Sequence, residues 1–188
     1  MVELSIPLGH AAPYGRCMSD ELTSNQRAFR SAMANLSAAV NVVTTDGISG
    51  RAGITVSAVC SVTDTPPTLL VCVNQSSYTH DIFRTNRRIA INVLGPQHEE
   101  LALHFAGVTK MPMAERFAGS KWDSESHGVP VLSDAAAVLV GGVGAEFTQG
   151  THTVLFVEVE HVYVHEDVGA LLYFQRGFHA LAPAGSST

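Results

Sequence analysis

Apolar residues repeat along this chain on two different periods, and the change from one to the other divides it into elements. Behind Thr23, the residues Phe29, Met33 and Leu36 recur at helical spacing. Gln26, three residues after the threonine, completes a capping box, so a helix is predicted from about Ser24 to Leu36. From Val40 onward the pattern becomes that of strands. Val40–Thr45 closes on an Asp46-Gly47 turn, and Gly53–Val62 runs on to Pro66-Pro67, which end it because neither proline can donate to a ladder. Thr68–Val73 stops at a polar cluster, Asn74-Gln75-Ser76-Ser77. Ile89–Leu94 follows, then two long strands, Ala135–Phe147 and Thr153–Val164, and a short last one, Leu171–Phe174. In the second long strand Leu155, Val157 and Val159 alternate with Glu158 and Glu160.

Only short helices interrupt this series. Ser77 or Thr79 caps one that runs through Arg84, with Ile82 and Phe83 turned inward. Pro96 suits the first position of another, Gln97 to about Ala106, with Glu99 and Glu100 in its first turn and Leu101 and Phe105 on one face. Residues 107–134 read as irregular. Six or seven strands with short helices between them predict a mainly β fold, a closed or split antiparallel β-barrel rather than a doubly wound sheet. Residues 1–22, with Pro7, Gly9, Pro13 and Gly15 on no period, are expected to form an extended or disordered arm. Residues 23–182 are expected to be one domain and 183–188 a flexible tail.

Composition narrows the function. An apolar share of 46 % against 15 % charged residues suits one compact domain. The net charge of −6 speaks against a nucleic-acid binder, and no apolar run is long enough to span a membrane. Without a signal-peptide pattern, a cytoplasmic location is expected. Cys17, Cys60 and Cys72 are too scattered for a disulfide framework and read as small buried hydrophobes. His161 and His165 lie four apart on a strand, which does not bring two metal ligands together as a helix would; no metal is expected. The chain carries no G-x-G-x-x-G, no phosphate loop and no G-x-S-x-G elbow. Gly141-Gly142-Val143-Gly144 leads into strand and reads as a bend or a place of close packing.

What remains is a set of polar clusters at strand ends. Gly53-Ile54-Thr55-Val56-Ser57-Ala58-Val59-Cys60-Ser61 carries small and hydroxyl side chains where a core strand would carry Leu or Phe, so another group can approach its backbone. Asn74-Gln75-Ser76-Ser77, Phe105-Ala106, Gly150-Thr151-His152 and Tyr173-Phe174-Gln175-Arg176-Gly177-Phe178-His179 join it. Each has a plain structural explanation: a turn for His152, a solvated charge for Arg176, core packing for Phe105. Together they describe an aromatic-lined, hydroxyl-rimmed pocket with few charges, which suits a planar heteroaromatic cofactor.

From about Gln26 to Leu181 the sequence resembles the short-chain flavin reductases of the split-barrel flavin-binding fold, and among them the reductase components of two-component 4-hydroxyphenylacetate hydroxylases. Phe29–Asn41, Gly53–Pro67, Asn92-Val93-Leu94, His104–Gly107, Glu115-Arg116-Phe117, Gly150-Thr151-His152 and Leu172–His179 carry the resemblance. The family often has Gly-Asp-His where this chain has Gly-Thr-His, and a glycine near Glu158. The resemblance implies an NADH-dependent reductase of FAD or FMN that releases reduced flavin, by diffusion, to a flavin-dependent monooxygenase acting on a phenol. It implies a homodimer as well. Gly53, Ile54, Thr55, Val56, Ser57 and Ala58 would then line the isoalloxazine edge, with Cys60 and Ser61 further along the wall. Asn74, Gln75, Ser76, Ser77 and His80 would meet the ribityl and phosphate oxygens, and Phe105 and Ala106 the facing side. His152, Tyr173, Arg176 and Phe178 would serve NADH, with His152 positioning the nicotinamide. A flavin-storing or flavin-sensing protein without fast NADH turnover, and a flavin-free interaction subunit, are the other two readings.

Overall fold

A computed structural model describes residues 22–119 and 121–183. The expected N-terminal arm and C-terminal tail therefore fall almost wholly outside the described residues. The elements are α1 (Ser24–Met33), β1 (Ala38–Ala39), β2 (Asn41–Thr45), β3 (Ala52–Val56), β4 (Val59–Asp64), β5 (Pro67–Asn74), α2 (His80–Asn86) and β6 (Arg88–Val93). A 3-10 turn (Pro96–His98) leads into α3 (Glu99–Phe105) and α4 (Met113–Arg116). Then come β7 (Trp122–Asp123), β8 (Val131–Leu132), β9 (Ala137–Gln149), β10 (His152–Val164), β11 (Ala170–Phe174) and β12 (Gly177–Leu181).

The sheet runs β3-β2-β6-β9-β10-β5-β4, antiparallel throughout. Its two outermost strands, β3 and β4, are consecutive in sequence and separated only by Ser57 and Ala58. Two residues cannot cross a flat sheet of seven strands, so the sheet must curl until its ends meet. The Cys72 N–H donates to the Ala58 carbonyl at 3.1 Å, tying the junction into β5. A three-stranded sheet, β1-β11-β12, continues from the start of β2.

Burial follows from this closure. One core fills the barrel with Val43, Ile54, Val56, Val71, Ile91 and Leu155, and Phe83 of α2 plugs it. A second core lies outside β2 and β6, where Val42, Ala90 and Val140 pack beneath Leu101 and Phe105 of α3. Strands β2 and β3 are thus buried on both faces, which is why they read as runs of apolar and hydroxyl residues without alternation. Buried Asn92 stitches the excursion 107–134 to this layer. Its amide donates to the Val42 carbonyl at 2.9 Å, and its Oδ1 accepts the Leu132 N–H at 2.8 Å.

Several sequence expectations are refined. The predicted capping box forms between Thr23 and Gln26, but α1 stops at Met33, three residues early. The stretch Gly53–Val62 is two strands broken at Ser57-Ala58, not one. Of the paired prolines, Pro66 lies in the turn and Pro67 opens β5, opposite Asp64. Residues 107–134 hold α4 and the β7–β8 pair, and Leu171–Phe174 is followed by one further strand. Cys60 is exposed rather than buried, whereas burial pushes the half-buried Cys72 thiol up. No helix among the described residues is long and apolar enough to cross a membrane.

The glycine run is a place of close packing. A Cβ at Gly141 would sit 2.0 Å from the Glu158 carbonyl oxygen, beside the irregularity where β9 and β10 shift register. At Gly142 it would meet nothing nearer than 3.7 Å. Gly141→Ala should therefore cost about 2 kcal/mol of stability, the scale of overpacking against fixed backbone. Gly142→Ala should stay within about 0.5 kcal/mol of the parent. Urea midpoints measure both, and coincident midpoints would contradict the close approach.

Candidate functional site

The β-ladder sets which predicted residues meet. In β5 and β10, Val71, Val73, Thr153 and Leu155 point into the barrel and are buried. Their neighbours must therefore face outward. Cys72 lies directly opposite Val154, and Asn74 directly opposite His152, one rung further along. Ala58, bonded to Cys72, extends the first rung at the strand break. The result is a small apolar floor of Ala58, Cys72 and Val154, edged by Ser57 on one side and by Asn74 and His152 on the other, all half-buried.

Polar bonds brace this edge. The Gln75 N–H donates to the Thr151 carbonyl at 2.9 Å, and the Gln75 amide to the Gly150 carbonyl at 3.0 Å. Asn74 Oδ1 accepts from both the backbone and the hydroxyl of Ser76 at 3.0 Å. Ser77 shares a 3.0 Å bond with the Thr79 hydroxyl. Thr151 Oγ1 lies 2.9 Å from His152 Nδ1, and partial burial holds the His152 imidazole below its usual pKa, favouring the neutral ring. Asn74-Gln75-Ser76-Ser77 and Gly150-Thr151-His152 are therefore one cluster, although the sequence reading assigns them to different ligands. An apolar floor with a neutral hydroxyl and amide border fits a flat, hydrogen-bonding ring such as isoalloxazine.

Other predicted residues lie elsewhere. Ile54 and Val56 point into the barrel core, and Gly53 and Thr55 lie under α3. Thr55 Oγ1 donates to the Ala102 carbonyl at 2.7 Å, and a Cβ at Gly53 would be 2.4 Å from the Phe105 ring. The side chains of Gly53–Val56 are thus the underside of the site, not its lining. Phe105 is buried and packs edge-on against Phe117 and Trp122 at centroid distances of 5.0 and 5.7 Å, so it is core, with Ala106 half-buried beside it. His80 is buried and engaged on both nitrogens, by Asp81 and by Thr153 Oγ1 at 2.9 Å, so it buttresses the start of β10. Cys60 and Ser61 continue along β4, both exposed.

Tyr173, Arg176 and Phe178 lie on the three-stranded sheet, whereas His152 lies on the seven-stranded one. Tyr173 and Phe178 stack edge-on at 5.4 Å and pack on the outer core, and burial raises the Tyr173 phenol. Gln175 and Arg176 form the two-residue turn between β11 and β12, at φ of 48° and 65°. Backbone and side-chain bonds from Gln175 to Ala34 and Asn35 hold that turn against the end of α1. A cavity of about 400 Å³ opens on the outer face of α3, between Glu100, His104, Arg116 and Asp134. None of the flavin or NADH residues expected from the sequence lines it, although His104, Glu115 and Arg116 of the motifs that carry the resemblance do. Val154 is what the sequence reading missed at the rim. Val154 shows only as the polar-side position of an alternating strand, and its partner Cys72 is known only from the register.

Comparison with known proteins bears on this geometry. The flavin reductase like domain matches residues 33–182. The 4-hydroxyphenylacetate 3-monooxygenase reductase component of Pseudomonas aeruginosa is 50 % identical over 161 residues, covering 86 % of this chain and 95 % of its own. The FMN reductase (NADH) RutF of Yersinia enterocolitica is 46 % identical over 153 residues, covering 81 % of this chain and 83 % of its own. Among solved structures, an NADH:FAD oxidoreductase of Streptomyces globisporus superimposes with a TM-score of 0.77 at 25 % identity, covering 91 % of this chain and all of the other. With the fold, the ladder and these matches in agreement, the chain belongs to the flavin reductase family.

Proposed function

We propose that this protein is an NADH-dependent flavin reductase that supplies reduced flavin to a partner monooxygenase acting on a phenol. The observation that carries the reading is the rung pair on the outer barrel face: Ala58, Cys72 and Val154 as a floor, Asn74 and His152 as its border. When bound, NADH and flavin would supply the redox chemistry, hydride transfer from the dihydronicotinamide to the isoalloxazine. The chain's own task is to hold two flat rings in register, and alignment of that kind supplies much of a rate. Ser57 and the backbone of the strand break meet the ring edge. Asn74, Ser76 and Ser77 offer amide and hydroxyl groups to the ribityl chain. His152, whose pKa burial lowers, orients the carboxamide of NADH. The names of the relatives support the partner, since a reductase component serves a monooxygenase. NADH supply makes the cytoplasm the matching compartment.

A homodimer goes with this reading. Helix α1 buries none of its residues; Phe29 on it is 51 % exposed, and Leu36, just beyond its end, is 60 % exposed. Ten residues of amphipathic helix are marginal without a partner surface. Sedimentation should give twice the chain mass of 19.9 kDa, and Phe29→Glu with Leu36→Glu should give the single chain. A wild-type monomer would remove the dimer from the proposal.

His152→Ala should raise KM for NADH roughly tenfold, the scale of one lost hydrogen bond in a binding site, with flavin affinity within about twofold. Because burial lowers the His152 pKa, the acid limb of wild-type turnover should lie on the acid side of an ordinary imidazole's. That acid limb should vanish in the variant. An unchanged KM and pH profile would reject the role. Ser57→Leu should block flavin uptake by covering the floor, and FAD, FMN and riboflavin titrations would show it. Parental affinity for all three would reject the site.

A further inference from the structure

Tyr78 is the most exposed aromatic side chain among the described residues, at 79 %, and nothing in the reading above uses it. Its backbone is nevertheless held on both sides. The Ser77 N–H donates to the Asn74 carbonyl at 3.0 Å, and the His80 N–H to the Ser77 carbonyl at 3.1 Å. The following residues, Thr79 and His80, are 4 % and 7 % exposed and belong to the bonded core of the rim. The chain thus pins a short segment firmly and leaves one phenol ring exposed, on the residue that follows Ser76 and Ser77 in sequence. A tyrosine ring has only two side-chain torsions to lose when a flat ring stacks on it, its backbone here is already held, and every nucleobase has a face to offer.

We propose that Tyr78 is a stacking platform for the adenine ring of a dinucleotide, which makes this chain favour FAD or NADH over the corresponding mononucleotide. The inference rests on the flavin site proposed above. There, a mononucleotide would end at the hydroxyl cluster of Asn74, Ser76 and Ser77, whereas a dinucleotide would continue past it to the next residue, Tyr78. Adenine reaches the site from either of two sources, and the test separates them.

The experiment titrates the full-length wild type, Tyr78→Ala and Tyr78→Phe with FAD, FMN, NADH and reduced nicotinamide mononucleotide, with Ser57→Leu as a reference. Tyr78→Ala should weaken one dinucleotide roughly tenfold, the scale of one base-aromatic stack, and leave both mononucleotides at parental affinity. Loss for FAD assigns the platform to the flavin, and loss for NADH assigns it to the nicotinamide cofactor. Tyr78→Phe should restore parental binding, because the stacking face is kept. Parental affinity of Tyr78→Ala for both dinucleotides, or equal weakening of dinucleotide and mononucleotide, would overturn the proposal. If Ser57→Leu blocks flavin while Tyr78→Ala changes nothing, Tyr78 alone is wrong; if Ser57→Leu also binds flavin normally, the site reading itself falls.

Discussion

The architecture depends on the hydrogen bond between the Cys72 N–H and the Ala58 carbonyl, at the two-residue link that joins the first strand of the sheet to the last. A link this short forces closure, and closure forces strand β3 to end and β4 to begin at an abrupt change of direction. Serine and alanine stand at this corner, half-buried. The same corner that completes the barrel also leaves a shallow, small-residue floor on its outer face. Fold and site are consequences of one constraint.

Strands β2, β3 and β6 carry the energetic weight because they are covered twice, by the barrel interior and by α3 with the β7–β8 excursion. Burial on both faces demands that every polar group there be satisfied. Thr55 gives its hydroxyl to α3, Thr44 to Pro130, and Asn92 joins Val42 to Leu132. Loss of one such partner leaves an unpaired group worth about 1–3 kcal/mol. That commitment is why Gly53–Val56 stand beneath the site. The Thr55 hydroxyl and the bare Gly53 serve the contact between β3 and α3, and Ile54 and Val56 face the barrel core.

Charge is kept to the margins of the rim. Ser57, Asn74, Ser76, Ser77 and Thr151 carry no charge, burial lowers the His152 pKa, and the ion pair of Arg84 with Glu146 braces α2 against β9. In that pair the arginine holds the Glu146 carboxyl below its usual range, and the carboxylate raises the guanidinium. Both groups are largely solvated, so the pair adds little stability. Its use is geometric, since α2 carries His80, whose bond to Thr153 fixes the first residues of β10. A neutral rim mounted on fixed strands suits ligands that must be oriented without being held tightly.

The sequence by itself determined the order of the main strands, the capping box of α1, a bend or close packing at the glycine run 141–144, and the presence of small and polar clusters at strand ends. Those features are local: a hydrophobic period, a cap, a glycine where a backbone approaches, small residues where a side chain would block. Only the tertiary structure decided which clusters meet. Asn74 faces His152 because β5 and β10 pair in one register, and a shift of one residue would have turned both away from the floor. Register is fixed by the combined burial of Val71, Val73, Thr153 and Leu155 inside a closed barrel, a property of the whole sheet. For the same reason Phe105, His80 and Thr55 look like site residues in sequence and are structural in space. Residue type shows what a side chain can do, and only its packed neighbours decide whether it is free to do it.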